Sequence, residues 1–422
     1  MELVQLSKGI DGLFIENKRF KTTLVSFNFF LPLESSRKTA ENSLLTYILS
    51  SCSNKLQDFT SINLALNDLY GADIEATVNK IGDTQHIKLA VVVVNDEFSL
   101  DKRSVINDAT NLLLSLIFDP KVENESFFEE DIDREKRKLT EHILGEINDK
   151  RIYARGKLIS EMFSSEPFGV SRYGCKEDLE QINGKDLYKA WQNLLKKSYI
   201  RVQVVGNKLP KNIFENIKNS FSLFKRDFDK SILSYTPLKP CNEVKRITEN
   251  MDITQGKLVL GFSSELYGVG AYALNVATDI FGGGPYSALF ENVREKMSLC
   301  YYCSAGPNKL KGYVMVDSGV ESQNADKAEK EILNQLENIK KGDFTDFAFE
   351  ASIKNLTSSL DSYYDSLFAL DSWYSTNVFS DKLETPESVK EKIKAITKQD
   401  VISAINGVKL HTVYRLLPEG NN

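Results

Sequence analysis

The chain has 422 residues, with 53 Lys and Arg against 59 Asp and Glu, a net charge of −6. At 41% hydrophobic and 27% charged it suits two or three packed domains, which excludes a disulfide-stapled miniature and extended disorder. Only three histidines occur, His86, His142 and His411, which limits the metal and acid–base chemistry the chain runs alone.

The N-terminal stretch lacks the charged-then-apolar pattern of a secretory signal, so the expected compartment is cytoplasmic. No apolar run reaches the roughly 20 residues of a spanning helix, and no membrane partner is expected. His86–Asn95 reads as a strand. An amphipathic helix follows from about residue 100 to Phe118, then an acidic start, Phe127-Phe-Glu-Glu130, and a long helical stretch. Within it Arg134-Glu-Lys-Arg-Lys138 is the densest basic cluster. Its interleaved acid and helical spacing mark a solvated face, so no nucleic-acid partner is expected.

Leu179–Trp191 leads to a β-branched strand, Tyr199–Val205, that closes the first half. Between Phe224 and Lys245 the period fails, and Tyr235-Thr-Pro-Leu-Lys-Pro-Cys-Asn242 reads as a linker. The same motifs then recur in the same order. Gly312–Asp317 is a strand, 325–340 an amphipathic helix, Phe344-Thr-Asp-Phe347 an acidic start, and Thr412–Leu417 a closing strand. Ile182 matches Ile396 and Asp186 matches Asp400, both 214 residues apart. The expected class is α+β: two homologous domains, 1–224 and 246–422, each a mainly antiparallel sheet covered by helices, joined by a linker at 225–245.

No two histidines lie within a helical turn of each other, so HExxH and its inverse HxxEH are absent, as is a Gly-x-Ser-x-Gly elbow. The five cysteines, an odd number, are expected as reduced thiols. Cys300-Tyr-Tyr-Cys303 lacks the two further ligands of a structural zinc and the βαβ context of a thioredoxin-like motif, so it reads as small residues in a half-buried strand. Gly282, Gly283 and Gly284 follow an apolar helix and either cap it or hug a ligand; taken alone, a C-cap is the better reading. Arg294 and Tyr301 stand seven apart. A guanidinium that clamps a peptide carbonyl and a phenol that donates to an oxyanion would suit acyl chemistry, and the plain alternative is a surface Arg and a half-buried strand Tyr.

Phe281-Gly-Gly-Gly through Arg294-Glu-Lys and Leu299-Cys-Tyr301 resembles the second-domain signature of the M16 (pitrilysin, insulinase and mitochondrial processing peptidase) metallopeptidases. Gly71–Thr77, Arg172–Leu179 and Ser198–Gly206 are similar to further strings of that family. The resemblance implies a LuxS/MPP-like metallohydrolase fold, with two domains closing as a clamshell around a peptide chamber. Counted back from Gly71, the inverted zinc motif falls within one residue of Leu44–Ile48, where no histidine or glutamate stands. Glu135 falls at the family's upstream acid, and the third ligand's place falls near His142. A pseudo-peptidase is therefore implied, with no metal held by this chain and zinc expected in a partner M16 subunit that keeps His-x-x-Glu-His. Arg294 would hold the backbone of a peptide or unfolded substrate, Tyr301 would stabilise the oxyanion, and Gly282 to Gly284 would line the substrate path. Thr254–Gly261 and Ser298–Tyr302 look most similar to inactive bacterial members encoded beside an active partner. A peptide-binding or scaffolding module without proteolysis is the alternative.

Overall fold

The computed structural model describes residues 1–419. Its strands are β1 (Glu2–Ser7), β2 (Ile10–Glu16), β3 (Thr22–Pro32), β4 (Asp73–Ile81), β5 (Thr84–Val94), the short ladder of β6 (Val122–Glu123) with β7 (Ser126–Phe127), and β8 (Tyr199–Gly206) in the first half. The second half supplies β9 (Lys245–Met251), β10 (Gly256–Ser264), β11 (Cys300–Asn308), β12 (Tyr313–Val320) and β13 (Val408–Pro418).

The first sheet has the order β1-β2-β8-β3-β5-β4. β8 runs parallel to β2 and antiparallel to β3, and the other pairs are antiparallel. β8 is buried along its whole length, which its Ile-Arg-Val-Gln-Val-Val sequence tolerates because one face is apolar and the other finds polar partners. β3 divides its residues the same way. Val25, Phe27, Phe29 and Leu31 enter the main apolar core under the helices Ser36–Leu49, Val105–Phe118 and Gly184–Lys197, while Ser26, Asn28 and Phe30 point to the opposite face. Each fully buried Phe on that core face is worth about 1.5–3 kcal/mol of transfer free energy.

The second sheet has the order β11-β12-β10-β13-β9. Read from its far end it repeats the first. β9 is parallel to β13 as β2 is to β8, and β10, β12 and β11 follow antiparallel as β3, β5 and β4 do. The repeat is thus topological as well as sequential. Its closest local match is a pair of capping boxes, Asn183 with Asp186 and Thr397 with Asp400, each starting the helix that feeds the closing strand.

Two compact units form, and neither is continuous in the chain. One comprises Met1–Leu144, Val170–Ser234 and Tyr363–Leu383, the other Gly145–Gly169, Tyr235–Ser362 and Glu384–Asn422. The halves therefore exchange counterpart segments. In the second unit the helix Lys150–Met162 packs on β10 and β13, close enough that a Cβ on Gly261 would lie 2.1 Å from Met162 Sδ. In the first unit the helix Leu367–Thr376 covers the second face of β3 and β8. The main-chain passage from Ser234 to Tyr235 lies within the segment read as a linker.

Candidate functional site

The helix Tyr272–Gly282 is apolar and buried on nearly every side. It stops at Gly283, whose N–H donates to Asp279 O at 2.7 Å. A Cβ on Gly282 would lie 2.6 Å from the Ala305 backbone nitrogen, and one on Gly283 would meet Asp279 at 2.0 Å. Gly282 thus allows a close approach of the helix to β11, and Gly283 ends the helix against its own Asp279. At Gly284 the nearest atoms a Cβ would meet are those of the Tyr286 ring, at 2.9 Å.

Three backbone irregularities follow within thirteen residues. Leu289–Lys296 is a π-helix, a wide turn that shifts side chains off the ordinary helical positions. Ser298 takes φ +50°. Then β11 bulges: Cys300 pairs with Val320 and Tyr302 with Gly319, so Tyr301 is the extra residue with no partner across the ladder. Together these turns bring Arg294 and Tyr301 to the wall of one open cavity of about 400 Å³, with Ser298, Cys300, Glu321 and Asn324 also lining it. Tyr301 is 57% exposed and donates its hydroxyl to Glu321 Oε1 at 3.0 Å. That carboxylate raises the Tyr301 phenol above its ordinary value, which keeps it in the protonated form that donates. The Arg294 guanidinium lies 4.5 Å from the Phe290 ring centroid and 3.6 Å from Glu295. Arg294 and Tyr301 are thus brought together. An arginine that binds carbonyl or carboxylate oxygens and a phenol that donates to a developing oxyanion would be compatible with binding an acyl group here.

The helix Ser36–Leu49 holds Leu44–Ile48, the segment where the resemblance would set a zinc motif. Leu44, Leu45, Ile48 and Leu49 are all buried in the main core, so the face where ligands one turn apart would stand is dry and apolar. Glu135 is also buried, bound by Arg134 Nε at 2.9 Å and Lys138 Nζ at 3.0 Å. Its neighbour Asp131 is bound by Arg134 and Lys121. His142 is exposed, its ring 5.5 Å from that of Tyr47. These residues do not fit a zinc ion: the places of the motif hold no histidine or carboxylate, and cations already pair with Glu41 on the same helix and with Asp131 and Glu135. Among the described residues no group of three or more His, Cys, Asp or Glu side chains is placed to hold a metal.

A polar cluster under Leu367–Thr376 escaped sequence reasoning. Asp371, fully buried, accepts from Ser26 and lies 3.5 Å from Lys88, which also pairs with Glu75 at 2.9 Å. Gln203 donates to Ser375 at 2.8 Å, and Asn28 accepts from Ser375 and pairs with His86 at 2.9 Å. The signal was the polar Ser26 and Asn28 set between the phenylalanines of β3. No helix among the described residues is long and apolar enough to cross a membrane.

Two sheets related by an internal repeat, with an Arg/Tyr cavity after the Gly-ended helix of the second, are what the comparisons match: the chain is similar to inactive members of the M16 peptidases. The family model described as the peptidase M16 inactive domain matches residues 181–356. Over 418 residues the chain is 27% identical to the probable inactive metalloprotease YmfF of Bacillus subtilis (strain 168), covering 98% of this chain and 97% of that one. A crystal structure of a conserved protein from Enterococcus faecalis V583 matches with a TM-score of 0.91 at 25% identity, covering 100% of this chain and 99% of the other. A peptidase M16 inactive domain structure from Pseudomonas fluorescens shares the fold, with a TM-score of 0.78 at 15% identity over 99% of this chain and 98% of that one.

Proposed function

We propose that this chain is a non-catalytic M16 subunit that binds peptide and supplies Arg294 and Tyr301 to the active site of a zinc-bearing M16 partner with an intact His-x-x-Glu-His motif. Arg294 would hold the substrate backbone. Tyr301, released from Glu321, would donate to the oxyanion of the tetrahedral intermediate as the partner's site hydrolyses the peptide. The zinc would be the partner's, where it would activate the attacking water.

The observation that carries this reading is the contrast between the units. The apolar packing around Leu44 and Ile48 supports the loss of metal chemistry, whereas the π-helix and bulge aim Arg294 and Tyr301 at a common cavity. The similarity to a probable inactive metalloprotease supports it as well. The test is to purify the chain with and without a zinc-bearing M16 subunit and assay both on an unfolded peptide library. Activity is expected only from the pair. A pair that cleaves equally well with Arg294→Ala and with Tyr301→Phe would overturn the reading.

A further inference from the structure

Strict alternation along β11 would set Cys300 and Cys303 on opposite faces, because they are three residues apart. The bulge at Tyr301 removes that offset. Cys300 lies opposite Val320 and Cys303 opposite Ser318, two residues apart on β12 and so on one face of the sheet. At about 3.4 Å rise per residue, the two Cα atoms are separated by about 7 Å. That is at the upper edge of the roughly 4.4–6.8 Å a disulfide spans, so only a small contraction of the bulge joins them.

The two thiols are also differentiated. Both are mostly buried, but Cys300 lines the Arg294 cavity. The nearness of Cys303 holds the Cys300 thiol below its ordinary value against the opposing effect of burial, with the Arg294 guanidinium lowering it further, while the nearness of Cys300 and deep burial push Cys303 up. Cys300 is therefore the attacking sulfur and Cys303 the resolving one.

We propose that Cys300 and Cys303 are a peroxide-oxidisable dithiol that closes reversibly into a disulfide across the Tyr301 bulge and re-aims Tyr301 away from the Arg294 cavity. The Cys300 thiolate attacks one oxygen of a hydroperoxide, the O–O bond breaks, and the departing oxygen takes a proton, leaving as water when the oxidant is hydrogen peroxide. Cys300 becomes a sulfenic acid. Cys303 then attacks that sulfur, the S–S bond forms, the S–O bond breaks, and hydroxide leaves with the Cys303 proton as water. Two sulfurs are oxidised by two electrons in all, and the peroxide is reduced by two. A small dithiol returns both thiols by exchange. The bond would run from one side of Tyr301 to the other, so the residue whose position the bulge sets is the one the bond moves.

The full-length chain is treated with hydrogen peroxide, alkylated, digested and analysed by mass spectrometry. The Cys300–Cys303 peptide should become two hydrogens lighter and lose both alkylation sites, and dithiothreitol should restore them. In Cys303→Ser the reaction should stop at a Cys300 sulfenic acid that dimedone traps, and in Cys300→Ser Cys303 should stay reduced. If Cys303→Ser fails to fold, the wild-type measurement decides alone. Full alkylation of Cys300 and Cys303 after a treatment that has oxidised Cys175 or Cys241 overturns the proposal. The consequence for turnover rests on the proposed function: disulfide formation should slow the assembled pair by about tenfold or more, reversibly, since small misplacements of a reacting group cost up to about 100-fold. A disulfide that forms while turnover holds overturns the switch. Unchanged turnover in Arg294→Ala and Tyr301→Phe overturns instead the role of the cavity.

Discussion

His86 offers a test of how the first sheet is held together. Its Nε2 lies 2.9 Å from Asn28 Oδ1, and its ring stacks on Phe30 at 4.7 Å between centroids. Asn28 Nδ2 donates to Ser26 Oγ and to the Arg201 carbonyl, so Oδ1 is the atom turned to the imidazole and Nε2 must carry the proton. Nδ1 is buried without a hydrogen-bond partner in the protein, and protonating it would bury a cation close to Lys88. Burial first, and Lys88 second, pull the imidazole down to about 3. An unfolded histidine titrates near 6.5, so as pH falls the unfolded chain takes up a proton that the folded chain refuses. The stability is complete above about pH 6.5 and is lost progressively as pH falls toward 3. Between pH 7 and pH 5 the loss from this one group is about 2 kcal/mol, at about 1.36 kcal/mol per pH unit. His86→Gln keeps a neutral donor facing Asn28 and removes the titration. Urea unfolding at pH 7 and pH 5 should therefore show the variant losing about 2 kcal/mol less than the wild type on acidification. With only three histidines in the chain, NMR titration reads the group directly. Equal losses in the two proteins, or a His86 resonance that titrates near 6.5 in the folded state, would refute the argument.

Asp371→Ala should cost about 3–5 kcal/mol, because it leaves Lys88 short of one buried partner and Ser26 without its acceptor; Asp371→Asn, which preserves the hydrogen bond, should cost less, as denaturant titration would show. Gly282→Val forces a side chain against the Ala305 backbone and should cost about 1–3 kcal/mol or more, measured as a fall in Tm. In the assembled pair, Tyr301→Phe should lower kcat about 10²–10³-fold with little change in KM, the mark of a donor used only in the transition state; an equal rise in KM at constant kcat would identify Tyr301 as a ground-state contact. Leu44→His with Ile48→His should bind no zinc by metal analysis and should destabilise the first unit, since both imidazoles would enter the apolar core.

The repeat was legible because its markers are local. Asp186 and Asp400, matched in the sequence only as equivalent residues of the repeat, each close a capping box with the Asn or Thr three residues before, so the match falls on two equivalent helix starts. The exchange of Gly145–Gly169 and Tyr363–Leu383 was not legible. Amphipathic spacing reveals that a helix has an apolar face and says nothing about which sheet receives it. β3 went unassigned although Val25-Ser-Phe-Asn-Phe29 alternates, because Leu24 and Phe30, which serve the second covered face, turn both ends of the segment into unbroken apolar runs. At the candidate site, residue types were legible and their placement was not. The π-helix keeps the look of an ordinary helix in sequence, and a single extra residue at Tyr301 leaves no compositional trace, yet it reverses which residues of β11 share a face.

The same comparison bears on where chemistry resides. The helix after β3 and the helix after β10 hold equivalent places in the repeat, and both are largely buried, the first through Leu44, Leu45, Ile48 and Leu49 of its C-terminal half. After the first, no group of three or more His, Cys, Asp or Glu among the described residues is placed to hold a metal, and the neighbouring acids Asp131 and Glu135 are each closed by two cations. After the second come a π-helix, a serine at positive φ and a bulge, of which the strained backbone alone costs on the order of 1–3 kcal/mol. Packing does not require the π-helix or the bulge, since the first unit, where Tyr70 also takes φ +61°, turns from its helix to its edge strand without a π-helix or a bulge in β4. Conformations that cost free energy persist where the surrounding fold enforces them, and here they share one outcome, the placement of Arg294, Cys300 and Tyr301 around a single cavity. That concentration of irregular backbone is the physical reason to look for function in residues 289–303 and not at the apolar helix of the first unit.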